Sequence, residues 1–527
     1  MAKRIVPGRS DAHVSPVLRG GRMRRPVVAI PVSLLCLAGI LRAQCPDGAP
    51  PPCANGQVTA ARTVNPFSIA VLYFDNLSRD AADEYIADGL TEQLIVRLGR
   101  IARLDVRLRS EVQRYHGRPL TDPAAIARAL NVRYLLTGSV RKVGQRVVVT
   151  AELSQPLGRP SRVWGDVMDR SGADVLDVET AIAEAVASVV AGRLQPDERA
   201  AVTRRPTRDA RAYDLFQQAN LYFNRGMVAG AAADLRSAVA FYRAAIERDS
   251  GFVAAWEGLA WTWWWLAGTA PTHPALLEVR QAAERAMVLD STAGNAMGMD
   301  AIAVAGLAYD WPAAVELARR GTRAAPRAAG PWITLSLLLD YQGRFAEAVA
   351  AGDSALARDS VAQASHWALA VPLIDSRRWE QLAGWESRWR SSDPIVATYA
   401  RTYLALHEGR PLDALHAYRA LPYDDLNALV EALVAADSLT AARDLVSRAR
   451  AQAETQMRDA GWVTNPDGLA AAYALLGEVD TAFVWLERAY TQGNMDLLLR
   501  LKVCPSFDRL RNDPRYHDLL RRMHLEP

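Results

Sequence analysis

The chain is predicted to fold as an α/β domain, a mixed sheet with helices, followed by an all-α superhelical solenoid. Three observations carry this. An apolar run of strand length, Ser68–Phe74, and two alternating stretches, Val132–Arg141 and Gln145–Ser154, lie in the first part with helical segments between them. From Ala212 to Glu526 only helical periodicity occurs. Within that region Pro331–Ser360 reads as two helices joined by a Gly343-Arg344 break. Trp332, Leu335, Ser336 and Leu339 recur at helical spacing on the first helix, and the small Ala348 and Ala355 lie on the inner face of the second. Such a pair cannot bury its apolar face alone, so it requires neighbours of the same kind.

Length and charge bound the reading. The 527 residues leave room for two or more domains, and 50% of them are apolar. The net charge of +4 is misleading. Residues 1–43 hold eight Lys/Arg against Asp11 alone, so the remainder carries about −3. A nucleic-acid partner is therefore not expected. Arg24 and Arg25 precede Pro26–Leu41, 16 mostly apolar residues, short for a spanning helix and suited to a secretory core. Residues 1–43 read as a signal peptide, cleaved before Gln44, or as an N-terminal anchor, with Met23 as an alternative start. The chain is expected to be exported, periplasmic or envelope-associated. The alternative is inner-membrane anchoring by residues 26–41, the only membrane contact foreseen. Cys36 belongs to the leader, and Cys45 lacks the preceding pattern that lipidation needs. Cys45 and Cys53 flank a Pro-rich segment and either pair as a disulfide in an oxidising compartment or remain thiols of a disordered tail. Cys504 reads as a lone apolar residue.

Residues 44–65 are rich in Pro, Gly and Ala and form a linker. Ser68–Phe74 is the first strand, ended by the turn chemistry of Asp75-Asn76-Leu77-Ser78. Asp88-Gly89 is expected to open a helix with Leu90, Leu94 and Leu98 on one face. A strand near Leu104–Arg109 follows. Asp122 and Pro123 form a helix start, N-cap and first turn, for a helix to about Leu130. The two alternating stretches, with Lys142-Val143-Gly144 between them, read as a hairpin. Arg162–Met168 is a further strand, and Val175–Leu194 a long amphipathic helix. Together they define a compact domain over residues 66–196.

IAVLYFDNLSRDAADEYIADGLTEQLIVRL, ALNVRYLLTGSVRKVGQRVVVTAEL and VWGDVMDR give this segment a likeness to a known family. It resembles the TolB-like amino-terminal domain of bacterial envelope proteins. The carrying motifs are Phe74–Ser78, ending the first strand, and Ala87–Thr91, opening the first helix. Tyr73 stands where that family commonly has Pro. The resemblance implies a non-enzymatic domain, often fused to repeat arrays or signalling modules, and transfers no ligand residues.

Residues 197–211 read as a charged connector, residues 212–493 as about eight helix pairs, and residues 494–527 as a terminal cap with a polar outer face. The pairs are similar to tetratricopeptide repeats, helix–turn–helix units of about 34 residues. Pro326 and Pro394 lie 68 residues apart, twice that length, and are taken to set the register. Phe507–Met523 resembles the usual ending of TolB-like/repeat fusions.

No local motif for chemistry is found. None of the eight histidines forms H-E-x-x-H or sits near Cys at zinc spacing. No nucleophile elbow or Walker loop occurs. Asp75, Asp80, Asp83, Glu84 and Asp88 form an acid-rich loop that reads as turn formers, a helix cap and solvated carboxylates rather than a cation site. No catalytic residue, metal or cofactor is assigned, and the chain is read as a non-enzyme. The tryptophans are more informative. Three consecutive ones, Trp263–Trp265, span about 200° of a helix, so not all can be core. In the repeat register Glu257, Trp261, Trp264 and Trp265 line the concave groove, and Ile333, Leu337, Asp340 and Tyr341 occupy the same slots two pairs later. Either this mostly apolar groove holds a partner segment, or the tryptophans pack within the molecule. The expected function is a protein–protein interaction scaffold or adaptor of the bacterial envelope, its partner unknown. The alternative is a regulatory or sensory module acting with a signalling kinase or transcription regulator in trans.

Overall fold

A computed structural model describes residues 64–526 apart from 79, 81–82, 145, 172–174, 230, 268–271, 361, 392, 422–425, 461–462, 464 and 495–497. The leader, most of the linker, Cys45 and Cys53 lie outside the described residues. A small mixed sheet with helices is followed by a long run of helices.

The sheet is built from β1 (Ser68–Val71), β2 (Asp75–Asn76), β3 (Asp105–Val106), β4 (Tyr134–Val143), β5 (Arg146–Gln155) and β6 (Ser161–Ser171). Its order is β3-β1-β4-β5-β6, with β2 also on β4. β1 pairs in parallel with β3 and β4, whereas β4, β5 and β6 form an antiparallel meander. β1 is buried along its whole length, as a central parallel strand must be, and reads as an unbroken apolar run. The hairpin turns at Gly144, whose φ of +59° is in the region glycine favours. Asp75 and Asn76, expected only to turn, instead pair with Ser139 and Val140. The turn comes one step later, where Asn76 Oδ1 accepts the Ser78 N–H.

Helices α1 (Glu84–Gly99), α2 (Arg109–Gln113), α3 (Pro123–Leu130), α4 (Val175–Ala191) and α5 (Pro196–Thr203) complete this part. α3 has the bounds its cap predicts, and the Asp122 carboxylate accepts the Ala125 N–H. α1 starts earlier than expected, at Glu84, so Asp88 lies within the helix and is not its cap. α5 occupies the segment read as a connector, and its Val202 is buried in the α/β core.

The helices that follow pack in series as α6 (Ala210–Ala229), α7 (Ala232–Arg248), α8 (Val253–Leu266), α9 (Thr272–Leu289), α10 (Gly294–Ala308), α11 (Trp311–Ala324), α12 (Gly330–Tyr341) and α13 (Phe345–Arg358), then α14 (Gln363–Asp375), α15 (Trp379–Trp389), α16 (Pro394–His407), α17 (Pro411–Tyr418), α18 (Leu426–Ala435), α19 (Leu439–Ala460), α20 (Pro466–Leu476), α21 (Val479–Gln492) and α22 (Pro514–Arg522). Asx caps followed by proline start several of them. Asp310, Asp393 and Asn465 each accept a backbone N–H at the head of α11, α16 and α20. The even-numbered helices α6 to α20 each touch the next even-numbered one, making a continuous inner row. The two register prolines are not equivalent. Pro326 lies in the loop before α12, whereas Pro394 is the first residue of α16. Proline is tolerated in either place, so their spacing did not set the register.

Candidate functional site

The predicted groove residues are on the inner row, three of the eight buried and five half-buried. On α12, Ile333, Asp340 and Tyr341 are buried and Leu337 is half-buried. On α8, Glu257, Trp261, Trp264 and Trp265 are half-buried. The tryptophans pack against the core of the helical array. Trp264 meets Trp261 and Trp265 edge to face, with ring centroids 5.5 and 5.0 Å apart. Trp261 reaches the start of α12, its ring 3.4 Å from where a Cβ on Gly330 would stand. Glu257 accepts the Ala296 N–H at 3.3 Å, so its carboxylate sits at the N-terminus of α10. Burial pushes its carboxyl up to about 7. These residues therefore link α8, α10 and α12, a role the register did not suggest.

The C-terminal end of α12 is covered by the chain's own C-terminal segment, whereas Ile333 packs on Ala355 and Ala368 of α13 and α14. Residues 498–526 pack on the last pair, where Pro505–Leu510 lies against α20 and Arg515 and Arg522 meet Asp480 and Glu487 of α21, and they also reach back to the middle of the array. Trp311 Nε1 donates to the Met523 carbonyl at 2.7 Å. The Arg500 guanidinium holds Asp375 through two hydrogen bonds of 2.9 and 2.6 Å. Arg377 pairs with Asp508. Leu498, Leu501, Phe507 and Leu519 share one apolar core with α8 to α13. Asp340 belongs to this junction. Neither of its oxygens receives a donor, and burial, then the adjacent Asp375 carboxylate, push its carboxyl well above the ordinary range. Cys504 is buried here, and its thiol is pushed up to about 12 by burial, which makes it unreactive.

The α/β part is mounted on the same array. Contacts recur at successive loops that join one helix pair to the next. Arg204 meets Asp290 at 3.3 Å, Arg327 donates to the Gly99 and Ala102 carbonyls at 3.1 and 2.8 Å, and Ser110 bonds Asp359. At the centre Arg97 and Glu179 are both fully buried, 3.5 Å apart. Arg97 also donates to the Val202 and Arg204 carbonyls, and Glu179 accepts the Tyr213 hydroxyl of α6. Desolvation outweighs Arg97's attraction at that distance and raises the Glu179 carboxyl to about 7. Beside this network lies a cavity of about 380 Å³ between the sheet and α6, lined by Lys142, Val147, Tyr85, Tyr213 and Asp214. Tyr85 donates to Asp214 at 2.6 Å, which uses two of the polar groups there.

A second, smaller cavity of about 120 Å³ opens at the carboxyl end of β1, against the middle of β4. Beside it are Glu84, Asp88 and His116. His116 Nε2 is 2.9 Å from Asp88 and 3.6 Å from Glu84. The acid-rich loop is thus divided. Asp83 pairs with Lys142 and Asp75 lies in β2, whereas Glu84 and Asp88 share one face of α1. His116 was missed because nothing local ties it to them. The i,i+4 spacing of Glu84 and Asp88 was the available signal, hidden by starting α1 too late.

Comparison with models of known protein families finds no match. Part of the chain is similar to the protein named putative adenylate cyclase 3 of Rhizobium meliloti (strain 1021), 34% identical over 160 residues. That is 30% of this chain and 27% of the relative, so the chain spans about a quarter of the relative's length. Among the described residues no helix is long and apolar enough to cross a membrane.

Proposed function

We propose that the chain is a non-enzymatic interaction scaffold or adaptor of the bacterial envelope, a TolB-like domain mounted on a tetratricopeptide-type array. The observation that carries this is the unbroken inner row from α6 to α20, to which every helix pair contributes one helix. Such a row presents extended surface, and the buried Arg97–Glu179–Tyr213 junction holds the α/β part in a fixed orientation beside it. The middle of the row is occupied by the C-terminal segment, so partner contact falls to the α/β part and to the half-buried tryptophans of α8.

The partial likeness to a protein named putative adenylate cyclase, a signalling enzyme by name, prompts a second reading without favouring it over the first. In it the chain is a regulatory module that works with a signalling protein in trans. Two measurements test both readings. Purified chain incubated with ATP and Mg²⁺ or Mn²⁺ is expected to yield no cyclic AMP, and sustained turnover would overturn the non-enzymatic reading. Crosslinking and pull-down from envelope fractions, with Trp261→Ala/Trp264→Ala alongside, is expected to capture an assembly protein that the double variant loses. Capture of a kinase or transcription regulator supports the second reading. A double variant that keeps every partner removes α8 from the binding surface.

A further inference from the structure

The crevice at the carboxyl end of β1 carries a set of side chains that the interaction reading does not use. We propose that Glu84, Asp88 and His116 form a binding site for a single divalent transition-metal ion of the zinc type, with an open position facing the adjacent cavity. The inference stands independently of the scaffold reading.

The fold places the three ligands from two directions. Glu84 and Asp88 are one turn apart on α1, so their carboxylates project to the same side. His116 follows α2 and arrives over them, its ring held edge-on against Tyr73 at 4.4 Å between centroids. The location has a topological reason. β1 lies between β3 and β4, so the chain leaves β1 toward β3 and then crosses back to reach β4 on the other side of β1. Open α/β sheets form ligand crevices at that point, outside the carboxyl ends of the strands.

The distances suit the ion. Ligands at about 2.0–2.2 Å from a tetrahedral zinc stand roughly 3.3–3.5 Å from one another. Here His116 Nε2 is 2.9 Å from Asp88 and 3.6 Å from Glu84, and one ligand atom from each residue lies within 4.8 Å of the others. One imidazole and two carboxylates favour zinc over calcium or magnesium, which take oxygen ligands alone. Charge points the same way. Glu92 continues the carboxylate row one turn beyond Asp88, but it is neutralised by Arg109 at 2.8 Å. Among the described residues Glu84 and Asp88 have His116 between them, whose Nε2 proton toward Asp88 is what an ion replaces. Three protein ligands leave a fourth position for water or a small anionic ligand. The cavity beside them, walled by Leu72, Phe74, Tyr115, Thr137 and Gly138, supplies room for it.

The full chain, stripped with EDTA and dialysed, is titrated with Zn²⁺ by calorimetry and with Co²⁺ by visible absorption. One saturable site per chain is expected, with an intense tetrahedral-type Co²⁺ spectrum. His116→Ala and Asp88→Asn are each expected to weaken Zn²⁺ binding by at least about tenfold. Circular dichroism establishes that each variant is folded, and the near-isosteric Asp88→Asn keeps the test decisive if His116→Ala is not. His517→Ala serves as a control for histidines elsewhere. Absence of a saturable site overturns the inference. So does binding that survives both His116→Ala and Asp88→Asn, or binding that His517→Ala lowers to the same degree.

Discussion

Two buried arginines hold this molecule together, and they face different partners. Arg97 joins the α/β part to α6, and its guanidinium meets one carboxylate and two backbone carbonyls. Arg500 pins the C-terminal segment to the middle of the array, where it meets Asp375 with Asp340 adjacent. In the first site one carboxyl, Glu179, shares its burial with a hydroxyl donor and has a pKa raised to about 7, so it can take up a proton as its surroundings change. In the second, two carboxyls depend on one cation, and burial together with the neighbouring carboxylate pushes the pKa of Asp340 well up. The difference teaches that the C-terminal junction is the more charge-dependent of the two.

Removing the cations tests this most strongly. Arg500→Leu leaves Asp375 buried beside a second carboxyl with no cation and is expected to cost roughly 3–5 kcal/mol in urea unfolding. Arg97→Leu is expected to cost less, because Glu179 neutralises itself. Equal losses would remove the distinction.

Titration is the next lever. A carboxyl raised in the folded state binds its proton more tightly there than in the unfolded chain. Its contribution is fully present below the unfolded value of 4.5 and is lost as pH rises through about 7. Wild-type stability should therefore fall across that window by roughly 3 kcal/mol from Glu179. Glu179→Gln should flatten that part of the profile, as read from Tm against pH. An unchanged slope in the variant would move the effect to other groups, such as Glu257.

Close helix contacts give the smaller effects. A Cβ on Gly352 of α13 would stand 2.5 Å from the Ala368 carbonyl oxygen, a backbone atom. Gly352→Ala is expected to cost roughly 1–3 kcal/mol by thermal unfolding. Gly89 of α1 faces Gln217 of α6, whose amide nitrogen would be 2.0 Å from the new Cβ. That side chain can swing aside, so Gly89→Ala should cost under about 1 kcal/mol. The reverse order would mean that the α1–α6 junction is tighter than the array itself.

Local signals were legible where the chain carries its own punctuation. Asp122 and Pro123 gave the start of α3, and the alternation from Val132 onward gave the hairpin on both sides of Gly144. The helix pairs were legible because each apolar stripe repeats within one pair. The start of α1 was not, because its N-cap position, Asp83, makes no side-chain cap bond, and Asp88-Gly89 imitates a start inside the helix. The connector hid α5 for a similar reason, since its few apolar residues include only one buried position, Val202.

The sequence by itself determined the order of a mixed α/β part and a long helical part, since periodicity and caps act over a few residues. It also placed Ile333, Asp340 and Tyr341 on the inner row. Only the tertiary structure decided what lies against them. Ile333 meets the neighbouring α13 and α14, but the segment at Asp340 and Tyr341, anchored by Arg500 and Met523, is more than a hundred residues away, and no local pattern encodes that return. The same holds for His116, which meets Glu84 and Asp88 only because the sheet order brings α2 over the head of α1. Contacts between distant segments depend on how whole faces pack, and a pattern read along the chain carries no information on which face meets which.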